Sequence, residues 1–458
     1  MTGHSPTPRT DPAGLPAEVV TEMVHRAAGT GYRHWWRAVA GTGFCTNPIH
    51  LHRRHGLTGE DRLMLRCGNR RSAVCPPCSR LYGGDTWQLV HAGILGGHHG
   101  IPDTVAEHPM AFVTLTAPSY GRVHAAGPHA GHPVDPARYD YSGHVLFSWW
   151  APELWRRYTI RVRRLLNRLL RDRGQDPNAV RLTFLKVCEH QARLIPHFHA
   201  VLRLDTTTTT TGCPRQPSTG IEGDDTPMPP NQVNVTSADL AAIALQAAAD
   251  VSLAVTDPTT ASGERVLSFG CQVDAKPLDP SLPVAARKKI AGYLAKYVTK
   301  SVSDYGITPR RVSPQIIHAP EVLAGLSAHA RAIINALSQL AEAAPQEYSA
   351  MLRWLHTLGY RGHVTTKSRR YSLTMGALRA ARALWRQHHP TAGTPPVPEG
   401  FGDPADDATH ADTAEWTYVR SGHDTRGDHQ LSAAAAKAHL EQIWARRDGL
   451  TDVRAVVT

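Results

Sequence analysis

The chain has 458 residues, 41% of them hydrophobic, which is enough for two or three domains and a sizeable core. Lys and Arg number 50 against 39 Asp and Glu, so the charge is +11 before any of the 27 histidines protonates, a balance that favours a polyanionic partner. No run of about 18 apolar residues occurs, and the opening MTGHSPTPRTDPAG lacks the basic-then-apolar pattern of a secretory signal, so a cytoplasmic protein is expected.

Residues 1–18 are Pro- and Thr-rich and are expected to be disordered, and residues 19–105 form a cysteine-bearing module. Of seven cysteines, Cys45, Cys67, Cys75 and Cys78 are separated by 21, 7 and 2 residues. The CPPC hook with two further thiolates predicts a closed structural Zn²⁺ site, in which His50 or His52 can replace Cys45. Arg70 and Arg71, in the basic loop GNRRSAVCPPCSR, are placed to touch DNA.

An α+β domain is expected over 106–310, with a mainly antiparallel sheet. FVTLTAPS, residues 112–119, reads as a strand ending at a turn. The segment from Ser148 to Gly174 reads as an amphipathic helix with eight arginines between Arg156 and Arg173, a secondary DNA candidate. Strands over 181–190 and 197–205 form a hairpin, and a surface insertion covers about 206–235. An Ala-rich helix (Ser237 to Ala254), a strand (266–275) and a helix (about Val284 to Ser301) follow.

Residues 311–389 are expected to be a helical and basic DNA-binding region, since 351–390 holds eight Lys and Arg and no Asp or Glu. There Tyr360 and Tyr371 alternate with Arg361, Lys367, Arg369 and Arg370, a pattern suited to stacking bases and neutralising phosphates. Residues 390–458 read as a linker, a short strand-like piece and a helical tail.

Two motifs carry chemistry. In LIPHFHAVLRLD, His197 and His199 share one face of a strand while Phe198 points the other way, and Glu189 lies on the partner strand beside them. Two nitrogens and a carboxylate suit Mn²⁺ or Mg²⁺ at a phosphate and do not exclude Zn²⁺. An HxH recurs by chance in so histidine-rich a chain, so the pair alone decides nothing. In AGYLAKYVTKS, Tyr293 and Tyr297 form one helical stripe and Lys296 and Lys300 another. A phenol is a poor nucleophile at neutral pH and needs a metal and cations at the phosphate it attacks.

In this order, FVTLTAPS, PHFHAVL and AKYVTK resemble the three motifs of HUH endonucleases, the rolling-circle replication initiators. With CGNRRSAVCPPCSRLYGGDTWQL and LGYRGHVTTKSRRYS, the wider match resembles initiators of actinobacterial plasmids and integrative elements, over about residues 40–375. The resemblance implies an HUH domain with a central antiparallel sheet flanked by helices, beside an N-terminal zinc-binding module and a helical, basic C-terminal region. It implies that His197, His199 and Glu189 bind a divalent ion. Tyr297 would attack an origin phosphodiester and become joined to the 5′ phosphate, with a 3′ hydroxyl released as primer. Tyr293 also fits the Tyr-x-x-Lys pattern, and Lys300 and Lys296 would stabilise charge near the phosphate. The partners implied are origin DNA, a host helicase and a DNA polymerase. A relaxase or single-strand transposase shares the chemistry; a non-catalytic zinc-containing DNA-binding regulator or a zinc hydrolase would use these residues otherwise.

Overall fold

The computed structural model describes residues 14–55, 59–206, 234–299, 307, 319, 325–388 and 416–457. In chain order, α1 (Ala17–Ala28), α2 (Tyr32–Gly41), β1 (Ile49–His55), β2 (Gly59–Leu65) and α3 (Pro76–Leu95) lead to β3 (Met110–Leu115). Then come α4 (Tyr141–Asp172), β4 (Val180–His190), β5 (Pro196–Thr206), α5 (Ser237–Asp250), β6 (Ser252–Thr256), β7 (Glu264–Ser268) and β8 (Asp274–Leu278). The remainder is α6 (Val284–Val298), α7 (Ala328–Ala343), β9 (Thr365–Lys367), α8 (Met375–His388), β10 (Thr417–Ser421) and α9 (Arg426–Val457). The chain forms two compact units, residues 83–378 and residues 1–82 with 379–458, where the sequence pattern suggested breaks near 105 and 389. Among the described residues no helix is long and apolar enough to cross a membrane.

In the 83–378 unit, a five-stranded sheet has the order β8-β3-β5-β4-β9 with every neighbouring pair antiparallel. Strand alternation sends Val113, Leu115, Cys188, Phe198 and Ala200 to one face, where they join the core with α4, α5 and α7. Asp140 caps α4 by accepting from Gly143 N at 2.8 Å, and Leu154, Tyr158, Val162, Leu165 and Leu166 recur at helical spacing on its buried side. Four of the eight arginines are engaged within the fold, Arg156 and Arg157 with Glu153, Arg161 with Asp250 and Arg173 with Asp239, while Arg163, Arg164, Arg168 and Arg171 are exposed.

Lys186 also lies on this core face. Its Nζ donates to Tyr360 Oη (3.1 Å) and to the His363 carbonyl (3.3 Å) and sits 4.6 Å from the Phe198 ring centroid. Burial lowers its pKa to about 8.

Two expected elements differ from the sequence reading. The Ala-rich helix stops at Asp250, and Ser252–Thr256 becomes a strand paired with β7. The single strand expected over 266–275 is two strands in different sheets, because the chain bends at Gly270 against β3's exit. Gly270 N donates to Thr116 O at 2.8 Å, and a Cβ there would stand 2.7 Å from Ala117 O. The region expected to form a separate DNA-binding piece instead supplies β9, an edge strand of the main sheet. Most of the proposed insertion and linker lies outside the described residues.

In the other unit, β1 is the central strand of a sheet ordered β10-β1-β2, again antiparallel. Trp35, Val39 and Phe44 form its core with Met64 and with Leu431, Ala435 and Ala436 of α9. Arg26 of α1 makes a two-pronged ion pair with Asp428 (2.6 and 2.7 Å). The C-terminal segment is therefore an integral part of the cysteine-bearing unit.

Candidate metal centre and tyrosine helix

The register of β4 and β5 pairs Glu189 with His197 and Val187 with His199, and β3 sets Thr114 opposite His199. All of these side chains project from the sheet face opposite Phe198. Glu189, His197 and His199 offer ligand atoms that lie within 4.8 Å of one another, so the three can hold a metal ion. The imidazole centroids are 4.5 Å apart, and His199 Nε2 lies 3.6 Å from Glu189 Oε1.

Two hydroxyls orient the imidazoles. Thr114 Oγ1 lies 3.2 Å from His199 Nδ1, and Thr116 Oγ1 lies 3.2 Å from His197 Nδ1. Gln191 Nε2 is also 3.2 Å from His197 Nδ1. With both Nδ1 atoms engaged, Nε2 is the atom each imidazole can offer an ion, His199 in exchange for its contact with Tyr293. Burial, with help from neighbouring His199 and Arg193, pushes the His197 pKa down to about 3, so at neutral pH its ring is uncharged, the form a metal requires. The alternation in FVTLT already places Phe112, Thr114 and Thr116 on one face; the sequence reading gave neither threonine a role.

Helix α6 brings the tyrosines to this face. Tyr293 Oη is 3.3 Å from His199 Nε2, and its ring meets Phe112 edge-on at 6.0 Å. The Tyr297 ring lies 5.4 Å from His199 and 4.5 Å from Tyr293. Burial first, then the bond with Tyr297 and the charge of Glu189, holds the Tyr293 pKa above that of a free phenol. Ala291, Leu294 and Val298 anchor the helix by its buried side, and Lys296 is exposed. Lys300 lies outside the described residues.

The expected nucleic-acid contacts fare differently. Tyr360 and Tyr371 are 2% and 1% exposed, so neither ring has a face to offer a base, which corrects the stacking role expected of them. Tyr360 is tied to Lys186, and the guanidinium of Arg203 covers the Tyr371 ring at 5.0 Å. Lys367 Nζ donates to the carbonyls of Ser368, Arg369 and Ser372, each at 3.3 Å. Arg361 lies over the rings of Trp149 (4.5 Å) and Trp150 (5.0 Å). Arg369 and Arg370 are exposed.

In the other unit, Cys45, Cys67, Cys75 and Cys78 also converge within 4.8 Å and can hold a metal ion. Cys75 Sγ and Cys78 Sγ each lie 3.6 Å from Cys45 Sγ, close to the ~3.8 Å edge of a tetrahedron of thiolates around one ion. The contacts among the four thiols lower the pKa of Cys75 and Cys78 and raise those of Cys45 and Cys67. Neither alternative histidine is required: His50 Nε2 donates to Gly422 O at 2.9 Å. Cys45 O accepts from His423 (3.1 Å) and Ser432 (3.4 Å), so elements near the C-terminus hold the first ligand's backbone. Arg70 and Arg71 are half-buried beside this cluster, and burial lowers the Arg71 pKa.

Residues 31–130 and 124–437 match a family described as replication initiator protein of pSAM2, RepSA. A replication initiator protein from Streptomyces ambofaciens is 34% identical over 456 residues, spanning 91% of this chain and 92% of that protein. No solved structure matches.

Proposed function

The chain belongs to the pSAM2-type replication initiator family, and from that premise we propose that it starts rolling-circle replication as an HUH endonuclease, cutting one strand of origin DNA. The observation that carries this reading is the juxtaposition of Glu189, His197 and His199 with two tyrosines whose rings contact His199. Their donor set fits Mg²⁺ or Mn²⁺, which when bound would polarise a phosphate oxygen.

Tyr297 attacks the phosphorus. The bond to its phenolic oxygen forms as the bond to the 3′ oxygen breaks; the phenol gives up its proton and the leaving oxygen gains one. The product is a 5′ phosphotyrosine and a free 3′ hydroxyl, from which a host polymerase extends while a helicase parts the strands. Because the new bond is also a phosphoester, resealing needs no nucleotide cofactor. Tyr293 accepts the strand in a second transfer, and Lys296 and Lys300 lend positive charge to the reaction. The four cysteines hold Zn²⁺ as a structural ion. Arg70, Arg71, Arg369 and Arg370 contact the DNA backbone.

The test is incubation of the protein and Mn²⁺ or Mg²⁺ with single-stranded DNA carrying the replicon's origin. A denaturation-resistant adduct mapping to Tyr297 and lost in His197→Ala supports the reading. Unchanged cleavage in the Tyr293→Phe, Tyr297→Phe double variant would assign the site to metal-dependent hydrolysis. Tight origin binding with no adduct would leave a DNA-binding regulator.

A further inference from the structure

A second group of imidazoles lies on the loop between β3 and α4, in VHAAGPHAGH. The loop is closed by its own backbone: His124 N donates to His132 O at 2.9 Å, Gly131 N to His124 O at 2.8 Å, and His132 N to His129 O at 2.9 Å. These bonds fold residues 124–132 back on themselves and bring three imidazoles side by side. Ring centroids are 6.2 Å apart for His124 and His129 and 5.8 Å for His129 and His132.

Nothing in the proposed nicking reaction uses these residues. His124 and His129 are exposed and His132 is half-buried. Burial, then the charges His129 and His124 can carry, lowers the His132 pKa. The loop also has a firm seat. Gly131 has φ +84°, and a Cβ there would lie 2.3 Å from the Ala192 carbonyl carbon and 2.6 Å from Arg193 N. Glycine is thus required both by the backbone angle and by the contact with the β4–β5 turn. Behind His132, at 5.9 Å, stands His329, whose Nε2 donates to Arg193 O (3.1 Å) while Nδ1 meets Tyr141 Oη (3.3 Å). With both nitrogens engaged, His329 is a buttress and the other three are the candidate ligands.

We propose that His124, His129 and His132 form a binding site for a divalent transition cation of the Zn²⁺, Ni²⁺, Co²⁺ or Cu²⁺ class. Two imidazoles sharing one such ion have centroids about 5 Å apart, so His129 needs to close on each of its two neighbours by only about 1 Å, within the reach of side-chain rotation on an exposed loop. Among the described residues, the two groups already converged within 4.8 Å are the cysteine cluster and the Glu189 centre, so the third site closes on its ion. An all-imidazole set favours these metals over Mg²⁺ or Ca²⁺, which seek oxygen. The contact of Gly131 with Ala192 and Arg193 mounts this site on the turn that carries Gln191, a partner of His197.

The test is calorimetric titration of the full chain with Ni²⁺ in a His197→Ala, His199→Ala background, with zinc retained by the cysteines. One saturable equivalent at micromolar affinity is expected, weakened at least 10-fold by each of His124→Ala, His129→Ala and His132→Ala, with His99→Ala as an unaffected control. In the unaltered chain, the triple His→Ala variant should bind one equivalent of Ni²⁺ less, which needs no change at the nicking centre. Equal stoichiometry and affinity with and without the three histidines would overturn the site. Matched thermal melts establish that the exposed substitutions leave the fold intact.

Discussion

The two converged ligand clusters, one in each unit, differ in what they leave open. Four cysteine sulfurs can fill a tetrahedron, so an ion there has no position for a substrate and serves by cross-linking the chain. Glu189, His197 and His199 can supply only three ligands, so an ion there would keep positions open on the side of the tyrosine helix. The cysteine site joins loops around a small core, where a lost ion removes much of the stabilisation. The histidine site is mounted on a five-stranded sheet backed by a large core. The count of protein ligands and the size of the core beneath them together separate a structural ion from a reactive one.

The largest expected effect tests the reactive side. Tyr297→Phe should lower adduct formation with origin DNA by at least ~10³-fold, measured on denaturing gels, while origin affinity stays within about twofold. Next, Cys75→Ser should break the structural side. Structural zinc sites bind with on the order of 10 kcal/mol, so a melt of the purified protein should show the cysteine unit unfolding many degrees earlier. His197→Ala should leave that transition in place and abolish nicking. Similar melting of the two variants would erase the distinction drawn above.

A subtler substitution sharpens it. Thr116→Val removes the hydroxyl at His197 Nδ1 without removing a ligand, and should cost about 10- to 100-fold in activity at limiting Mn²⁺ with partial recovery at high Mn²⁺. Activity unchanged at every metal concentration would show that the threonine does not orient the ligand.

The effect narrowest in pH range concerns the opposite face of the same hairpin. Lys186 has a folded pKa of about 8 against an ordinary 10.5. Above the ordinary value both states are neutral, and below about 8 both are charged. As pH falls through that window the unfolded chain takes the proton first, so stability drops by about 1.4 kcal/mol per pH unit. Lys186→Met should flatten this slope in thermal melts between about pH 8 and 10, and an unaltered slope would mean another group causes it.

Much of the site was legible because it is local. The hairpin expected over 181–190 and 197–205 is found at Val180–His190 and Pro196–Thr206, and its short turn fixes the pairing of Glu189 with His197. The stripe of Tyr293 and Tyr297 follows from helical spacing in the same way. What the pattern concealed is long-range. Tyr360 and Tyr371 sit in a basic stretch that looks solvated, yet Lys186 and Arg203, far away in sequence, draw both rings inside. The strand-like EWTYVRSG gave no hint that its partner is β1, since strand propensity names no partner. The bend at Gly270 depends on the approach of Ala117, which a single glycine in an apolar run does not disclose.

The pairing of β10 with β1 bears on the order of events at the ribosome. Until Thr417–Ser421 has been made, β1 lacks one neighbour, and until His423 and Ser432 follow, the carbonyl of Cys45 lacks the donors that hold it. The nascent N-terminal segment therefore lacks these partners while the whole five-stranded sheet is synthesised and free to fold first. Any ion capture by the four cysteines would then be completed only after translation, and a chain cut short before β10 would leave the ribosome with its five-stranded sheet whole and its thiol cluster unsealed.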